Sequence, residues 1–508
     1  MNSIEPAVNQ DFQHIRENLQ LPRDFAPELL DEAQQVARRN PLTASLENWQ
    51  EVPFVTIDPP TSLDLDQAYW ADRLPSGYRV RYAIADVGFW IDRGSGVEQE
   101  AWRRGNTYYS PDLRTPLYPN AISEGAASLL PQQIRPAIVF DFELDAQADV
   151  ISIGIVRSLI MSRAKLSYPD VGKHLDAERI TSGSGHLARQ EWALSLTLLE
   201  EIGRKRQQLE IERHGINLRI PAQQVERWAT ALYGYRLAFE ESTEVEDWNA
   251  QISLMTGISA AQVMIAHEIG LLRTLDPPRE DKLRMLRLAA QALHVNWPDG
   301  MRYDEFVRSL NPHHPIHSVM LQQAARVNGG ARYLMFEGKV PKHSAHAAIA
   351  STYAHVTAPL RRLADRYVLD LLVELSNGNQ PSAALLEALQ RLPRVMNEAE
   401  SRSRQLETAI VDFAEARLMQ DHVGEKFSAL VIGLREDSII VQIAEPPMRT
   451  KLPLNVFGGE NEAQLSRDGA TLRINQTEIV LGQALSLSLI EADPVTRSLK
   501  FSKNEYEN

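Results

Sequence analysis

Apolar residues near the amino end of the chain recur at helical spacing. Between residues 26 and 40 the spacing of leucine, alanine and valine side chains predicts a helix. Pro27 near its start and Pro41 after its end occupy positions where proline commonly borders a helix. From about residue 190 to residue 420 similar patterns dominate, so we expect that part of the chain to be mostly helical.

Two segments upstream of that helical part follow the pattern of β-strands, and each ends in an aspartate. Residues 51–58 are strand-like in composition and end in Asp58. Residues 78–86 alternate apolar and polar side chains before their final aspartate, which predicts a strand with one buried face. The side chains predicted to point inward are Val80, Tyr82 and Ile84.

The last part of the chain changes to short alternating segments separated by turn residues. They are FSALVIGL, DSIIVQIAE, RTKLPLNVF, ATLRINQTEI and ALSLSLIEAD. Five strands spread over so few residues predict a small Greek-key barrel of the OB type.

Length and composition narrow the possibilities. A chain of 508 residues with 44% hydrophobic residues is expected to form two to four domains with sizeable cores. It has no cysteine, which excludes disulfides, thiolate zinc sites and cysteine nucleophiles. We see neither a signal peptide nor an apolar run of the roughly 20 residues that span a bilayer. We therefore expect a cytoplasmic protein without a membrane partner.

The charge of the chain is unevenly distributed. The net charge of −14 by itself disfavours binding to the phosphates of a nucleic acid. Residues 321–372, by contrast, hold seven basic residues against three acidic ones, a net charge of +4. A basic channel in an acidic protein is one interpretation, and solvated helix faces are the other. From residue 424 onward nine basic residues stand against twelve acidic ones, a net charge of −3.

The stretch FVTIDPPTSLDLDQAYW, residues 54–70, concentrates three carboxylates. Asp64 and Asp66 are two residues apart, so in an extended segment their side chains point the same way. Asp58 ends the preceding strand, and the loop between can bring it back to the pair. Carboxylates held together repel one another unless a cation lies between them, and Mg²⁺ or Mn²⁺ fits oxygen ligands. The alternative is a polar loop with exposed acids.

An arginine pair occurs in YAHVTAPLRRLADRYVLDLL, which begins at Tyr353. Thr357 as N-cap and Pro359 in the first turn predict a helix that starts there. Arg361 would then lie near a helix N-terminus, where amide groups and a guanidinium can both bind phosphate. The alternative is a surface arginine pair held by Asp365. A buried stripe is predicted from Leu360, Leu363, Tyr367 and Leu371.

Tyrosines cluster in NTYYSPD, residues 106–112, and in KLSYPDV, residues 165–171. Exposed tyrosines beside basic residues can stack on nucleic-acid bases. The alternative is that each tyrosine packs in the core or in a turn.

Six stretches of the chain occur in a recognisable order. They are FVTIDPPTSLDLDQA, YRVRYAIADVGFWI, RRGNTYYSPDLRTPLYPNAIS, SRAKLSYPDV, LDPPREDKL and YAHVTAPLRRLADRYV. Together they resemble the RNase II (RNB) family of 3′→5′ exoribonucleases over about residues 50–375. Residues 424–502 resemble the OB-type RNA-binding domain that usually closes these enzymes.

The resemblance implies an α+β fold in three parts. Residues 1–50 would form a helical segment. Residues 51–420 would form an RNB-type catalytic domain, a mixed sheet surrounded by helices with a helical extension. Residues 424–503 would form an OB-fold RNA-binding domain of the ribosomal-protein type. The first part is too short for the two cold-shock domains that many members carry, so we expect a short form of the family.

The resemblance also implies a metal site. Asp58, Asp64 and Asp66 match the metal-binding aspartates of the family, and Asp66 matches the one most closely tied to catalysis. Gln67 stands where the family usually has a fourth aspartate, and we expect it beside the metal as a ligand or a water-positioning group. The expected cofactor is Mg²⁺, with Mn²⁺ as the alternative, and no organic cofactor is expected.

Further residues are implied to contact RNA or the reacting phosphate. Arg361 matches the arginine that steadies the phosphate during cleavage, and Arg362 beside it is expected to contact RNA. Tyr168 matches the aromatic residue that stacks on the 3′-terminal base. Tyr109 matches the tyrosine that helps set the length of the last undegraded fragment, and Glu407 matches a glutamate at the catalytic end.

One departure from the family concerns the clamp on the terminal base. Around WNAQISLMTG the family often has a glutamate pair, one of which packs on that base. This chain has Asn249, Ala250 and Gln251 there.

Together these residues predict metal-dependent hydrolysis of single-stranded RNA from its 3′ end, with release of nucleoside 5′-monophosphates. The alternative is a catalytically impaired RNB-fold protein that binds RNA, which the amide of Gln67 motivates. A metal-dependent hydrolase of another phosphate ester is a third interpretation. The sequence leaves the oligomeric state open.

Overall fold

A computed structural model describes residues 4–181, 190–218, 220–227, 234–240, 242–327, 329–446, 448–458 and 463–504. None of the helices within these ranges is long and apolar enough to cross a membrane. The helices are α1 (Ile4–Asn18), α2 (Pro27–Ala37), α3 (Val87–Trp90), α4 (Gly96–Arg104), α5 (Tyr168–Thr181), α6 (Ala193–Glu212), α7 (Glu244–Ala266), α8 (Glu280–Ala292), α9 (Tyr303–Ser309), α10 (Pro315–Val327), α11 (Leu363–Ser376) and α12 (Ala383–Met419).

The strands divide into two groups, one in the first third of the chain and one at its end, with short two-stranded sheets between them. The strands are β1 (Glu47–Asn48), β2 (Phe54–Ile57), β3 (Gln67–Leu74), β4 (Gly77–Ala85), β5 (Tyr108–Tyr109), β6 (Arg114–Thr115), β7 (Ile134–Asp145), β8 (Val150–Leu166), β9 (Ala222–Arg227), β10 (Tyr235–Glu240), β11 (Ile269–Thr274), β12 (Arg332–Glu337), β13 (Ala345–His346), β14 (Ser351–Thr352), β15 (Lys426–Leu434), β16 (Ser438–Ile443), β17 (Met448–Pro453), β18 (Ala463–Leu465), β19 (Thr471–Ile474), β20 (Thr477–Val480), β21 (Ala484–Asp493) and β22 (Ser498–Lys503).

Strands β2, β3, β4, β7 and β8 pair in a closed circuit. Strand β2 runs parallel to the end of β8, and the other neighbours in the circuit are antiparallel. All four residues of β2 are buried, as expected of a strand covered on both faces. The strand predicted for residues 78–86 is β4, and its Val80, Tyr82 and Ile84 are buried as predicted. The α+β class and the mixed sheet are therefore confirmed.

The N-terminal segment contains helices α1 and α2. Helix α2 confirms the helix predicted for residues 26–40, and it buries Ala33 fully. Leu30 differs from the predicted apolar face, because its side chain is exposed.

The arginine segment departs from the sequence prediction. Helix α11 begins at Leu363 and not near Thr357, and its N-cap position is Arg362, which has no capping side chain. The amide of Ala358 donates to the side chain of Asp365 at 2.7 Å, which holds this part of the chain outside the helix. The predicted buried stripe is nevertheless present at Leu360, Leu363, Tyr367 and Leu371.

The C-terminal strands form a curled sheet with an added hairpin. The five-stranded sheet has the order β17, β16, β15, β21, β22, and its two edge strands approach each other. The C-terminal strands differ from the sequence prediction in two ways. The segment ATLRINQTEI is not one strand but the hairpin β19–β20, which belongs to a separate three-stranded sheet with β18. Strand β22 has no counterpart among the predicted strands.

Hydrophobic packing joins the C-terminal sheet to helices that precede it in the chain. Side chains of α8, α9 and α10 share one buried cluster with strands of the sheet, for example Leu286, Phe306 and Met320 with Val431. A separate large cluster holds the closed circuit of strands together with α7 and α11. The division of the chain at residues 50 and 420 stays a prediction.

Candidate active site

The aspartates of the sequence motif meet at one end of the closed strand circuit. Asp58 follows the carboxyl end of β2, and its amide donates to the carbonyl of Leu166 at the end of β8 at 3.0 Å. Asp66 precedes the amino end of β3, and its carbonyl accepts from the amide of Ala85 at the end of β4 at 2.9 Å. The strand order therefore brings Asp58 and Asp66 to the same end of the barrel.

Asp66 is the most enclosed carboxylate of the motif. Its side chain is 3% exposed. One oxygen accepts a hydrogen bond from the amide of Leu360 at 2.8 Å, and the other lies 3.6 Å from Nε of Arg361. Burial raises the pKa of Asp66 to about 8, although Arg361 and the Leu360 amide act in the opposite direction. Such a carboxylate releases its proton readily only when further positive charge arrives.

Burial also disfavours the ionised form of Asp58. Burial raises the pKa of its carboxyl to about 6, Arg361 opposes this, and Asp64 adds to it. Its Oδ2 is buried and has no hydrogen-bond partner among the described residues. A buried acceptor without a partner is costly, and a cation or an ordered water relieves that cost.

Asp64 has a cationic partner of its own. Its Oδ1 lies 2.6 Å from a guanidinium nitrogen of Arg114, and another nitrogen of Arg114 contacts Glu124. Within the described ranges, no three His, Cys, Asp or Glu side chains converge on one metal position. The buried oxygen of Asp58 that lacks a described partner and the raised pKa of Asp66 suit a divalent cation such as Mg²⁺. Ligation of that cation by Asp58, Asp64 and Asp66 stays a prediction.

Gln67 connects the strand circuit to the arginine segment. Its side-chain amide nitrogen donates to the backbone carbonyl of Thr357. A carboxylate at this position has no N–H group and cannot make that bond. The amide therefore holds the loop that leads to Arg361 against the start of β3. A role of Gln67 as a metal ligand stays a prediction.

Arg361 and Tyr109 lie near Asp66. Each side chain is about half exposed, at 51%. The surrounding protein nevertheless removes water from both groups. Burial raises the pKa of Tyr109. Burial lowers the pKa of Arg361, but the charge of Asp66 acts in the other direction, and the pKa of Arg361 is raised overall. The amide of Thr107 donates to the Arg361 carbonyl at 3.0 Å, which fixes the two segments together.

Arg362 has a different environment from Arg361. It binds both carboxylate oxygens of Asp365, at 2.8 and 3.1 Å, and the Asp365 side chain is completely buried. The arrangement that the sequence offered as an alternative, an arginine held by Asp365, is thus found at Arg362. Its contact with RNA stays a prediction. More broadly, the positive charge of residues 321–372 does not lie on one open face, because Arg366 is also buried.

Tyr168 lies at the start of α5, close to the aspartates. Its side chain is partly buried and packs against the core of the strand circuit. Burial raises the pKa of its hydroxyl, Asp58 adds to the shift, and a hydrogen bond with Asn249 opposes it. Asn249 of α7 thus contacts the predicted base-stacking tyrosine, whereas Gln251 donates to Glu210 at 2.6 Å.

Glu407 lies apart from the groups described so far. It occupies an exposed position on α12, and its charged neighbour is Arg404. Helix α12 itself packs against β5, which contains Tyr109. A catalytic role of Glu407 stays a prediction.

Two residues that shape this site are not among the predicted site residues. Arg114 holds Asp64, and Lys165 donates to the carbonyls of Pro60 and Ser62 at 2.8 and 2.5 Å. Lys165 thereby closes the loop between Asp58 and Asp64. Arg114 and Lys165 both lie inside stretches quoted for the family resemblance, and those stretches were the available signal.

Comparisons with known proteins agree with this architecture. Ribonuclease R 1 of Lactococcus lactis is 22% identical over 521 residues, which cover 97% of this chain and 60% of that protein. The chain thus spans about 60% of the length of this curated relative. Mycoplasma genitalium RNase R, solved in complex with ribose methylated single-stranded RNA, matches with a TM-score of 0.85 at 20% identity, covering 99% of this chain and 79% of that chain.

The yeast pseudonuclease Ssd1 shares the fold as well, with a TM-score of 0.67 at 17% identity over 91% of this chain and 58% of its own. Structural likeness at such identities shows the fold alone. The RNB domain, in contrast, matches the sequence of residues 46–378, which contain both the aspartate motif and the arginine segment. Because that match covers well over half of the sequence, the chain belongs to the RNB family.

Proposed function

We propose that this protein is a metal-dependent hydrolytic exoribonuclease that degrades single-stranded RNA from its 3′ end to nucleoside 5′-monophosphates. The observation that carries the proposal is the neighbourhood of Asp66 and Arg361. A buried carboxylate lies 3.6 Å from a guanidinium that solvent reaches. A phosphodiester that approaches from solvent meets the exposed guanidinium before it meets the buried carboxylate.

Arg361 would bind and orient the phosphate. A guanidinium presents several N–H donors in one plane, and these donors match the oxygens of a phosphate. Its partial exposure allows contact with substrate, while the hydrogen bond from Thr107 to its carbonyl keeps its backbone in place. Charge that develops on the phosphoryl oxygens during hydrolysis would be stabilised by the same donors.

Asp58 and Asp66 would hold a divalent cation, Mg²⁺ or Mn²⁺. When bound, such an ion supplies Lewis-acid chemistry, by activating water and polarising the phosphate. The support for the site is electrostatic: burial raises the pKa values of both carboxyls, to about 6 and about 8, and one oxygen of Asp58 is buried without a partner. Gln67 would contribute by holding the Thr357 carbonyl and thus the loop before Arg361.

Tyr109 and Tyr168 would contact bases on either side of the reacting phosphate. Tyr109 is half exposed near Arg361, and Tyr168 lies near Asp58 with Asn249 on its hydroxyl. Aromatic faces stack on any base, so contact of this kind is tolerant of sequence and suits single strands. The relative from Mycoplasma genitalium was solved with single-stranded RNA, which supports the same class of substrate here.

The test is the degradation of 5′-labelled single-stranded RNA in the presence of Mg²⁺ or Mn²⁺. We expect stepwise shortening and release of nucleoside 5′-monophosphates, and we expect EDTA or Asp66→Asn to abolish both. Asp72→Asn is the matched control, because Asp72 lies exposed toward the other end of β3. A wild-type protein that leaves RNA intact with either metal refutes the proposal.

A protein that binds RNA without cutting it is the second candidate. Two observations favour it: Gln67 carries an amide in place of a carboxylate, and Asp64 is paired with Arg114. The yeast pseudonuclease shows that the fold is compatible with loss of cleavage. This candidate predicts that the wild-type protein binds labelled RNA but leaves it intact, and that Gln67→Asp restores shortening.

A further inference from the structure

Arg114 has two acidic partners, Asp64 and a second acid, Glu124. One nitrogen of Arg114 lies 2.6 Å from Asp64, and another contacts Glu124 in the π-helical turn Ala121–Ala126. The three side chains are about equally screened from solvent, with exposures of 11% for Asp64, 21% for Arg114 and 22% for Glu124. Arg114 therefore bridges a motif aspartate and an acid outside the motif.

The surroundings leave Arg114 room to move. Arg114 and Glu124 both line an open recess of about 910 Å³, which Leu21 and Phe25 of the N-terminal segment also line. Asp64 does not line this recess. A guanidinium that leaves Asp64 can thus turn toward Glu124 and the recess without displacing packed side chains, and it keeps an anionic partner.

Asp64 is close enough to the proposed cation position to matter there. Asp64 lies two residues before Asp66, and Lys165 closes the loop that joins Asp64 to Asp58. A cation between those two carboxylates would attract Asp64 as the next anionic oxygen donor. A guanidinium held at Asp64 neutralises that carboxylate and repels an approaching cation, so the two positive groups compete for Asp64.

We propose that Arg114 is a built-in competitor of the divalent cation for Asp64, and that Glu124 receives Arg114 when the cation binds. The inference rests on the proposed function, because it assigns a regulation to the same site. Arg114 acts through Asp64 and is a positioning residue. Without the ion it neutralises Asp64, and with the ion it pairs fully with Glu124.

The test measures binding of Mg²⁺ alone by titration calorimetry, in protein without RNA. Arg114→Met removes the competitor, so we expect the Kd for Mg²⁺ to fall by about 5- to 10-fold, within the usual range of coupling between sites. Glu124→Gln removes the second partner and should raise the Kd by a similar factor. Arg103→Met is the control, because Arg103 pairs with Glu100 and its loss changes the net charge equally. Its Kd should equal that of the wild type.

The double variant separates exchange of partners from simple charge effects. If Arg114 moves between two acids, Glu124→Gln has no effect once residue 114 is methionine, and the double variant binds Mg²⁺ as tightly as Arg114→Met. If the two charges act independently, the effects of the single variants add in the double variant, and the proposal is wrong. Weaker binding by both single variants also overturns it, because that result indicates a structural role.

The same titration distinguishes failure of this inference from failure of the proposed function. If the wild type and Arg114→Met bind Mg²⁺ with the same Kd, the competition is refuted while metal dependence stands. If neither the wild type nor any variant binds Mg²⁺ or Mn²⁺, the metal dependence itself is refuted, and the competition with it. Thermal unfolding of each variant confirms that the proteins compared are folded.

Discussion

Asp66→Asn is expected to stabilise the ion-free protein at alkaline pH, even though Asp66 lies at the centre of the proposed site. Its side chain is 3% exposed, and burial is the main reason that its pKa rises to about 8. Asparagine has nearly the same shape and carries no charge. Its Oδ1 can still accept the hydrogen bond that the amide of Leu360 donates to Asp66.

The sign and size follow from the difference between the folded and the unfolded pKa. The ordinary value is 3.8 and the folded value is about 8. The folded protein therefore keeps a proton on Asp66 where the unfolded chain has lost it. This contribution to stability is complete below about pH 4 and is lost as the pH rises to about 8. About four pH units, at about 1.4 kcal/mol each, give an upper bound of about 6 kcal/mol.

Relaxation of the surroundings and entry of water reduce such penalties, so we expect Asp66→Asn to be about 2–4 kcal/mol more stable than the wild type near pH 9. Urea denaturation in EDTA, at about pH 4 and about pH 9, measures the difference. The two proteins should be nearly equal at the lower pH. Added Mg²⁺ should stabilise the wild type at the higher pH and not the variant. Asp72→Asn should follow the wild type throughout. A variant less stable than the wild type near pH 9 would refute the reasoning, because it would show that Arg361 more than offsets the cost of burial.

Three further predictions concern the arginine segment. Arg361→Lys keeps the charge but loses the planar set of donors, so single-turnover cleavage of RNA should slow by about 100-fold with a smaller change in RNA affinity. An equal loss of cleavage rate and of affinity would contradict contact between Arg361 and the reacting phosphate. Gln67→Leu removes the donor to the Thr357 carbonyl and should lower the free energy of unfolding by about 1 kcal/mol, with faster hydrogen exchange of the loop before Arg361; unchanged exchange would contradict the anchoring role. Asp365→Ala leaves the partly buried charge of Arg362 without its partner, so the free energy of unfolding should fall by about 3 kcal/mol in thermal or urea unfolding. A loss below about 1 kcal/mol would show that water replaces the partner.

The strands that carry the aspartates could be predicted because their signal is local. Alternation along residues 78–86 predicts the buried face of β4 wherever the strand lies, and Val80, Tyr82 and Ile84 follow it. The meeting of Asp58 and Asp66 needed only one further assumption, that the loop between them returns. That assumption follows from the position of Asp58 at the end of a strand, and the antiparallel pairing of β2 with β3 satisfies it.

The start of helix α11 could not be predicted, because contacts from distant parts of the chain override local preference there. Threonine and proline favour a helix that begins at Thr357. In the structure the Thr357 carbonyl accepts from Gln67, and the amide of Leu360 donates to Asp66. Both partners lie about 290 positions away in the sequence. The Thr357 carbonyl, held by Gln67, is not available to a first helical turn, and the helix begins only at Leu363.

The partner of Asp64 was equally out of reach of the sequence. The D-x-D spacing indicates that Asp64 and Asp66 share a side, but it does not indicate which cation compensates either one. Arg114 reaches Asp64 from strand β6, and the short pairing of β5 with β6 also positions Tyr109. Spacing thus predicts where carboxylates gather, whereas their counter-charges are decided by the packing of separate loops.

The amide of Gln67 can be understood from the charge of this site. Burial and Asp64 already raise the pKa values of Asp58 and Asp66, so a fourth carboxylate beside them would raise the electrostatic cost again. An amide avoids that cost, and its N–H group does what a carboxylate cannot, since it donates to the Thr357 carbonyl. The sequence presents Gln67 as a weakened ligand, but in the structure it connects β3 to the loop that precedes Arg361. Glutamine at position 67 therefore removes one carboxylate from the site and also fixes the loop that precedes the arginine. Neither consequence requires loss of the site.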